Sequence, residues 1–416
     1  MAEVGIIQLG NETLHILWDP EPDFGAPSRE LGESSNPLAF EPVQTTDTVS
    51  SLRAQKFSVL ISGVESAGES AADNKVRQIR NLAVEVAKDE NTLVVQGARR
   101  DIPVTFQVKK NPPFPQPYTW RFDRGHQAVI PIELRTRPWG EGPAVTAQQV
   151  ATALETPNVV DVTIDGEVPT TVDLEATRGF TGSGLQTLVV GRVDPAVELA
   201  DVLHLAMDAT APNWDPYTAT SGYVNASDNT RICTDTRYRA MYWPALPVGR
   251  YKLFTKCRVQ RGGKGWLAQS RASNNPSAAP ITLTDNDWRF VSLGDYASDG
   301  YTALRIVGKC REAANGILVD WLLPFPLDYG SPFYFHCTAN SLQRVTSRWL
   351  DAQMQLTTGA WRSARRYVYG PGLLGVDSVR LLVAACDANG AIRRPSVSLA
   401  ADYSPLYTHW IPKPEV

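Results

Sequence analysis

The stretch Ile317-Leu-Val-Asp-Trp-Leu-Leu-Pro-Phe-Pro-Leu-Asp328 constrains the fold more than any other part of this chain of 416 residues. Ile317 to Leu323 is nearly all apolar and too short for a stable helix, and Pro324 and Pro326 are expected to end it. Such a run reads as a strand buried on both faces, inside a sandwich. Its one charge, Asp320, must be paired or lie where the strand meets water, because an isolated buried carboxylate is costly. The run is read as the last strand of an inserted module, after which the chain returns to an interrupted domain.

The length fits two to four domains at a typical ~150 residues each. Hydrophobic residues make up 43% and charged residues 20%, the balance of a globular protein rather than a disordered or membrane one. The formal charge is -4 with no basic block, which argues against a dedicated nucleic-acid binder. Cys233, Cys257, Cys310, Cys337 and Cys386 are odd in number, far apart and without a C-x-x-C, so they read as reduced buried thiols made in a cytoplasm. No signal peptide is expected, and no apolar run approaches the ~18 residues of a membrane span. The sequons at Asn11 and Asn225 then read as coincidence.

Taken in order, residues 1–143 are expected to form an N-terminal β-sandwich with one helix, Asp73 to Lys88. Asp73 is the expected cap, and Val76, Ile79, Ala83 and Val86 form the expected buried stripe. Pro20 to Pro37 is a long arm, and Gly140-Glu-Gly-Pro143 reads as a linker. Thr146 to Glu155 reads as a short helix, and Asp165-Gly166 as the turn of a hairpin between Val159–Ile164 and Thr170–Ala176. From about Leu203 many short strands alternate with Asn, Asp, Ser and Gly loops; Gly249 to Val259 puts Tyr251, Leu253, Thr255, Cys257 and Val259 on one face. The expected architecture is mainly β: the N-terminal sandwich, a split C-terminal β-sandwich from 144–201 plus 331–416, and an inserted antiparallel jelly roll at 202–330.

Signatures of chemistry are scarce. Five histidines are scattered, and H-E-x-x-H, G-x-S-x-G, the Walker loop and G-x-G-x-x-G are absent. Gly179 to Gly184 is glycine-rich but lacks the lysine a phosphate site needs, and reads as a loop. Two acidic groups, Asp161/Asp165/Glu167 and Asp285/Asp287/Asp295, have spacing that suits calcium, yet solvated turn acids are the simpler reading. His204 and His336 flank the insertion and read as structural. Neither metal nor cofactor is expected, and the chain is read as non-enzymatic; Asp320 with Asp295 is the one pair worth testing as a glycan hydrolase. Trp214, Tyr217, Tyr223, Tyr238, Tyr242, Trp243 and Trp266 crowd the module's first half. Flat rings stack on sugars, so Trp214, Tyr217, Trp243 and Trp266 are candidate glycan ligands; the competing reading makes such rings core.

The serial order of several phrases resembles the distal tail proteins of long-tailed, siphovirus-type bacteriophages, in the long form with extra modules. The N-terminal unit carries Lys75-Val-Arg-Gln-Ile-Arg80, Thr92-Leu-Val-Val-Gln-Gly97 and Ala128-Val-Ile-Pro-Ile-Glu-Leu134 followed by Pro138. Asp165-Gly-Glu-Val-Pro-Thr-Thr-Val-Asp-Leu174 then precedes the carbohydrate-module-like phrases Gly249-Arg-Tyr-Lys-Leu-Phe254, Trp288-Arg-Phe-Val-Ser-Leu-Gly294 and Val319-Asp-Trp-Leu-Leu-Pro324. Pro395-Ser-Val-Ser-Leu399 and Tyr403-Ser-Pro-Leu-Tyr407 close the chain. The resemblance implies a virion protein whose N-terminal sandwich closes into a six-fold homo-oligomeric ring at the tail tip, joining the tail tube protein to the tail hub or tip protein. DNA would pass through its lumen without specific binding, and the outer module would decorate the tail or touch a host surface glycan. The arm at Pro20–Pro37 has no counterpart in that pattern and is expected to reach a neighbouring copy. A carbohydrate-binding adhesin or lectin is the alternative.

Overall fold

A computed structural model of the chain describes residues 3–17, 32–33, 44–45, 53–62, 70–88, 91–97, 102–109, 114–115, 121–122, 127–137, 139–151, 157–178, 185–217, 230–260, 263–271, 274–284, 288–327, 334–346, 352–369, 373–387 and 397–407. The fold is mainly β, as expected. The chain divides into two compact units, one of residues 1–145 with 165–170 and 404–416, the other of 146–164 with 171–403.

The first unit is built on β1 (Glu3–Leu9), β2 (Glu12–Leu17), β3 (Arg53–Ser62), β4 (Asn91–Gly97), β5 (Val104–Val108) and β6 (Gln127–Thr136), with α1 (Ala71–Ala87) between β3 and β4. The antiparallel order is β5-β4-β1-β2-β3-β6, and Val108 meets Thr136 so that β5 also pairs β6. The six strands therefore close on themselves. Lys109 N–H donates to Arg135 O at 2.7 Å and Arg137 N–H to Gln107 O at 2.9 Å across that seam. Alternate residues fill the interior: Phe57, Val59 and Ile61 face Leu93, Val95, Phe106, Ile130, Ile132 and Leu134, with Leu82 and Val86 of α1 in the same cluster.

Helix α1 starts earlier than expected, because Ser70 and not Asp73 is its cap. The Ser70 hydroxyl oxygen accepts from Asp73 N–H at 3.2 Å, and its proton goes to the Asp73 carboxylate at 2.6 Å. The buried face also differs. Asn74, Leu82, Glu85 and Val86 turn inward, while Val76, placed on the apolar stripe by spacing alone, is 56% exposed. The expected linker is a short strand, Gly140–Glu141, paired with Tyr407 and Thr105. Gly140 is required there, since a Cβ would overlap Val104 and Phe106. Of the Pro20–Pro37 arm only Gly32–Glu33 lies within the described residues.

The second unit opens with β7 (Val145–Ala151), a strand where a helix was expected over Thr146–Glu155; residues 152–156 lie outside the described ones. It continues with β8 (Asn158–Ile164), β9 (Thr170–Arg178) and β10 (Leu185–Arg192). The expected hairpin at Asp165-Gly166 is not formed. β8 pairs along its length with Asp377–Asp387 and β9 with Val397–Tyr403, so the two strands never meet. Residues 165–170 instead dock on the C-terminal segment, with Glu167 N–H donating to Leu406 O at 2.7 Å.

Between β10 and its return come β11 (Arg231–Cys233), β12 (Arg239–Ala245), β13 (Gly249–Val259), β14 (Gly265–Ser270), β15 (Ile281–Leu283), β16 (Arg289–Ser298), β17 (Ala303–Cys310) and β18 (Ile317–Pro326). They form two facing sheets, β11-β18-β13-β16 and β12-β17-β14-β15. Cys257, Val259 and Leu253 from the first meet Met241, Trp243, Leu267 and Ile306 from the second. The chain then rejoins with β19 (Tyr334–Thr346), β20 (Asp377–Asp387) and β21 (Val397–Tyr403), giving the order β7-β21-β9-β19-β10-β20-β8. β10 and β19 are neighbours, with Gly191 opposite Tyr334.

β18 is buried at every residue, as its composition demands. One face lies in the sandwich interior; the other puts Trp321, Leu323 and Phe325 with Phe254 and Phe290 against Val189, Leu382 and Ala384. The strand runs through Pro324 and Pro326 rather than stopping. Leu327 N–H points to β13, donating to Arg250 O at 2.8 Å, so by alternation the two proline nitrogens face the other side, where the described partners of β18 stop at Leu322.

Candidate functional site

The outer face of the β12-β17-β14-β15 sheet carries the candidate site. Register fixes its plan in rows across β12, β17 and β14: Tyr242, Arg305 and Ser270 form one, Ala240, Val307 and Ala268 the next, and Lys309 lies opposite Trp266. Tyr238, just before β12, completes the row with Lys309 and Trp266. Two ridges thus flank a floor of small apolar residues. Ala240, Ala268 and Val307 are buried beneath Tyr238 and Tyr242.

Cations are threaded between the rings. The Lys309 ammonium sits 4.6 Å from the Tyr238 ring centre and 5.0 Å from that of Trp266; Lys264 approaches Trp266 at 5.5 Å and Arg305 approaches Tyr242 at 5.4 Å. Burial pushes the Tyr238 phenol above its ordinary pKa, so it stays a neutral hydroxyl. Beyond β14, Ser277 N–H donates to Gln269 O at 2.9 Å and the Ser270 hydroxyl to Asn275 O at 2.7 Å.

The four candidate ligands read from sequence do not share a surface. Trp214 and Trp243 are each only 2% exposed and belong to the sandwich core. Their indole N–H groups are satisfied by Arg239 O at 3.2 Å and Leu205 O at 2.9 Å. Trp214 fits because Gly308 leaves room for its ring. Tyr217 packs with Trp288, Leu318 and Ile232 on the opposite sheet, and its hydroxyl accepts from Gln260 at 3.4 Å. Only Trp266 faces outward on the ridge. Tyr238 and Tyr242 stood out as aromatics; Arg305 and Lys309 were missed, although their period-two spacing with Val307 put them on one face.

The other candidates are accounted for locally. Asp320 is met by Lys256 at 2.6 Å, and Asp295, on the surface, by Lys252 at 2.8 Å, so each of the two acids has its own lysine. Asp161 is gripped by Arg380 at 2.8 Å, which holds its carboxyl below the usual range. Asp285, Asp287 and the Gly179–Gly184 loop lie outside the described residues. Among the described residues no cluster of three or more His, Cys, Asp or Glu is placed to hold a metal. His204 is a structural ring tilted on Trp243 at 6.2 Å, with its pKa lowered by burial; for His336 only the strand position, opposite Val189, is described. Cys233, Cys257 and Cys310 are free and buried, as expected.

No family model and no curated protein matches the chain. Solved structures similar to it include the phage p2 baseplate in its activated conformation, at 7% identity and a TM-score of 0.21, covering 97% of this chain and 98% of that one. Another is the GH26-CBM35 β-(1,4)-mannanase of Podospora anserina, at 15% identity and a TM-score of 0.25, covering 32% of this chain. The match spans only 29% of the mannanase's length. A triple-jelly-roll turret protein of an archaeal virus gives 8% identity and a TM-score of 0.17, covering 72% of this chain and 89% of that one.

Proposed function

We propose that this chain is a structural virion protein that forms a ring, of six copies, at the distal end of a phage tail. The ring joins the tail tube above to the hub or tip complex below and lets DNA pass. The observation that carries the reading is the first unit, a barrel closed by β5 on β6 with one helix packed on it, in the order the phage resemblance implies. The seam at Val108 and Thr136, with Glu141 on β5 and Arg121–Phe122 on β6, occupies edges that could otherwise recruit strands, so copies associate through side chains. Ile6 on β1 and Val76 and Val84 on α1 are 43%, 56% and 56% exposed, apolar groups that a neighbouring copy would cover. The net charge of -4 suits a passage that must not hold DNA. In this reading the protein is made in the host cytoplasm, ends in the tail tip and performs no catalysis. Negative-stain imaging of the purified chain and of whole tails tests it: rings with a central hole are expected, whereas a monomer absent from assembled tails overturns it.

A carbohydrate-binding adhesin is the second reading, favoured by the outward ridge of Tyr238 and Trp266. Binding on a glycan array by a chain that never forms rings would put it first.

A further inference from the structure

We propose that the outer face of the β12-β17-β14-β15 sheet binds an acidic saccharide, with Trp266, Tyr238 and Tyr242 taking the apolar faces of the sugar and Lys309 and Arg305 taking its carboxylates. The inference does not depend on ring formation. It rests first on charge. Lys264, Arg305 and Lys309 stand together on one sheet face of a protein with four more acids than bases, and among the described residues none of the three meets a carboxylate. Three other basic residues of the same module have acids: Lys252 has Asp295, Lys256 has Asp320, and Arg239 has Asp235. The Arg305 Nε–H is buried with no partner in the protein.

The second support is shape. Rows lie about 7 Å apart along the strands, and the outer two of the three strands stand about 10 Å apart, an area the size of a short oligosaccharide. Ala240, Val307 and Ala268 are covered by Tyr238 and Tyr242, so the rings and the cations beside them form the contact surface. Sugar C–H faces stack on rings, while a carboxylate takes the ammonium of Lys309 and the forked donors of Arg305. The rings also hold the cations in place beforehand, which lowers the ordering cost of binding. A neutral glycan would use the rings and leave the three charges unanswered.

The test is native affinity electrophoresis of the full chain in gels holding polygalacturonate or its fully methyl-esterified, neutral form, with a single-stranded oligodeoxynucleotide titrated separately. Retention by polygalacturonate should exceed that by the ester by about tenfold and weaken as salt rises. Lys309→Gln and Arg305→Gln should each cut binding several-fold, and Trp266→Ala about tenfold, while Lys252→Gln on the other sheet leaves it intact. Should Trp266→Ala fail to fold, the exchange at Lys309 still decides. No retention, equal retention by the neutral polymer, indifference to Lys309→Gln, or tighter binding of the oligonucleotide overturns the proposal. A monomer that binds polygalacturonate sustains it; a ring that does not bind refutes it and leaves the ring reading standing.

Discussion

The Lys256 ammonium lies 2.6 Å from an Asp320 carboxylate oxygen, with the two side chains 5% and 2% exposed. The second Asp320 oxygen accepts from the Thr230 hydroxyl at 3.4 Å, and the Trp288 ring lies 5.2 Å from the ammonium. This is how a charged residue survives on a strand buried along its whole length. Lys256→Met should leave a buried carboxylate without its cation and lower stability by about 3–5 kcal/mol. Lys256→Met with Asp320→Leu should recover most of that loss. Urea denaturation of the two variants is the check; equal losses would mean that the pair is not coupled.

Core and surface tryptophans should separate cleanly. Trp214→Ala and Trp243→Ala remove buried rings and should cost about 3–5 kcal/mol each. Trp266→Ala on the outer face should cost roughly 1 kcal/mol or less. Chemical unfolding of the three variants distinguishes these roles before any ligand is tried.

The buried thiols give a pH dependence. Burial pushes Cys233 up to about 11 and Cys310 up to about 12 from an ordinary 9.0. A raised thiol pKa means that the native state resists ionisation, so its contribution is fully present below pH 9. It is lost as pH climbs from there toward 11 and 12, because the unfolded thiols ionise first. Stability should fall over that alkaline window, and by less in a Cys233→Ala, Cys310→Ala variant. Neither thiol should take up a labelling reagent at pH 8 until the protein unfolds, as peptide mass spectrometry would show.

Gly10→Ala should destabilise the first unit. Gly10 turns between β1 and β2 at φ +58, and a Cβ there would overlap the carboxylate of Glu85. Glu85 is buried and bonded to Lys88 at 2.6 Å and Asn91 at 2.8 Å, so it cannot step aside freely. The left-handed backbone alone costs about 1–2 kcal/mol for a residue with a Cβ. Thermal unfolding measures it, and an unchanged midpoint would show that Glu85 yields.

Much of the β-architecture was legible because period-two alternation and dense apolar runs report burial directly. Ile317–Leu323 was recognisable as a doubly buried strand from composition alone. Its extension through Pro324 and Pro326 was not, because that depends on which flank of the strand is vacant. Val145–Ala151 defeated local propensity because pairing in a sheet decided its form. Asp165-Gly166 carries the chemistry of a tight turn, yet the strands either side of it had stronger partners elsewhere. The candidate ligands failed for a related reason: Trp243 and Trp266 look alike in sequence, and only register across β12, β17 and β14 shows which faces water. Arg305 and Lys309 gained meaning once Tyr242 and Trp266 stood opposite them.

The adjacency of β10 and β19 has a consequence for what this scaffold tolerates. Everything from Arg192 to Tyr334 leaves and returns through one gap between neighbouring strands, a socket about 5 Å wide. Any foreign domain with similarly close termini can be plugged in without disturbing the register of the host sheet. One demand remains: the guest must offer an apolar flank to Val189, Leu382 and Ala384, or those side chains are left wet. Replacement at this seam would change the surface that the guest presents while leaving the strand pairing of the first unit's barrel as it is.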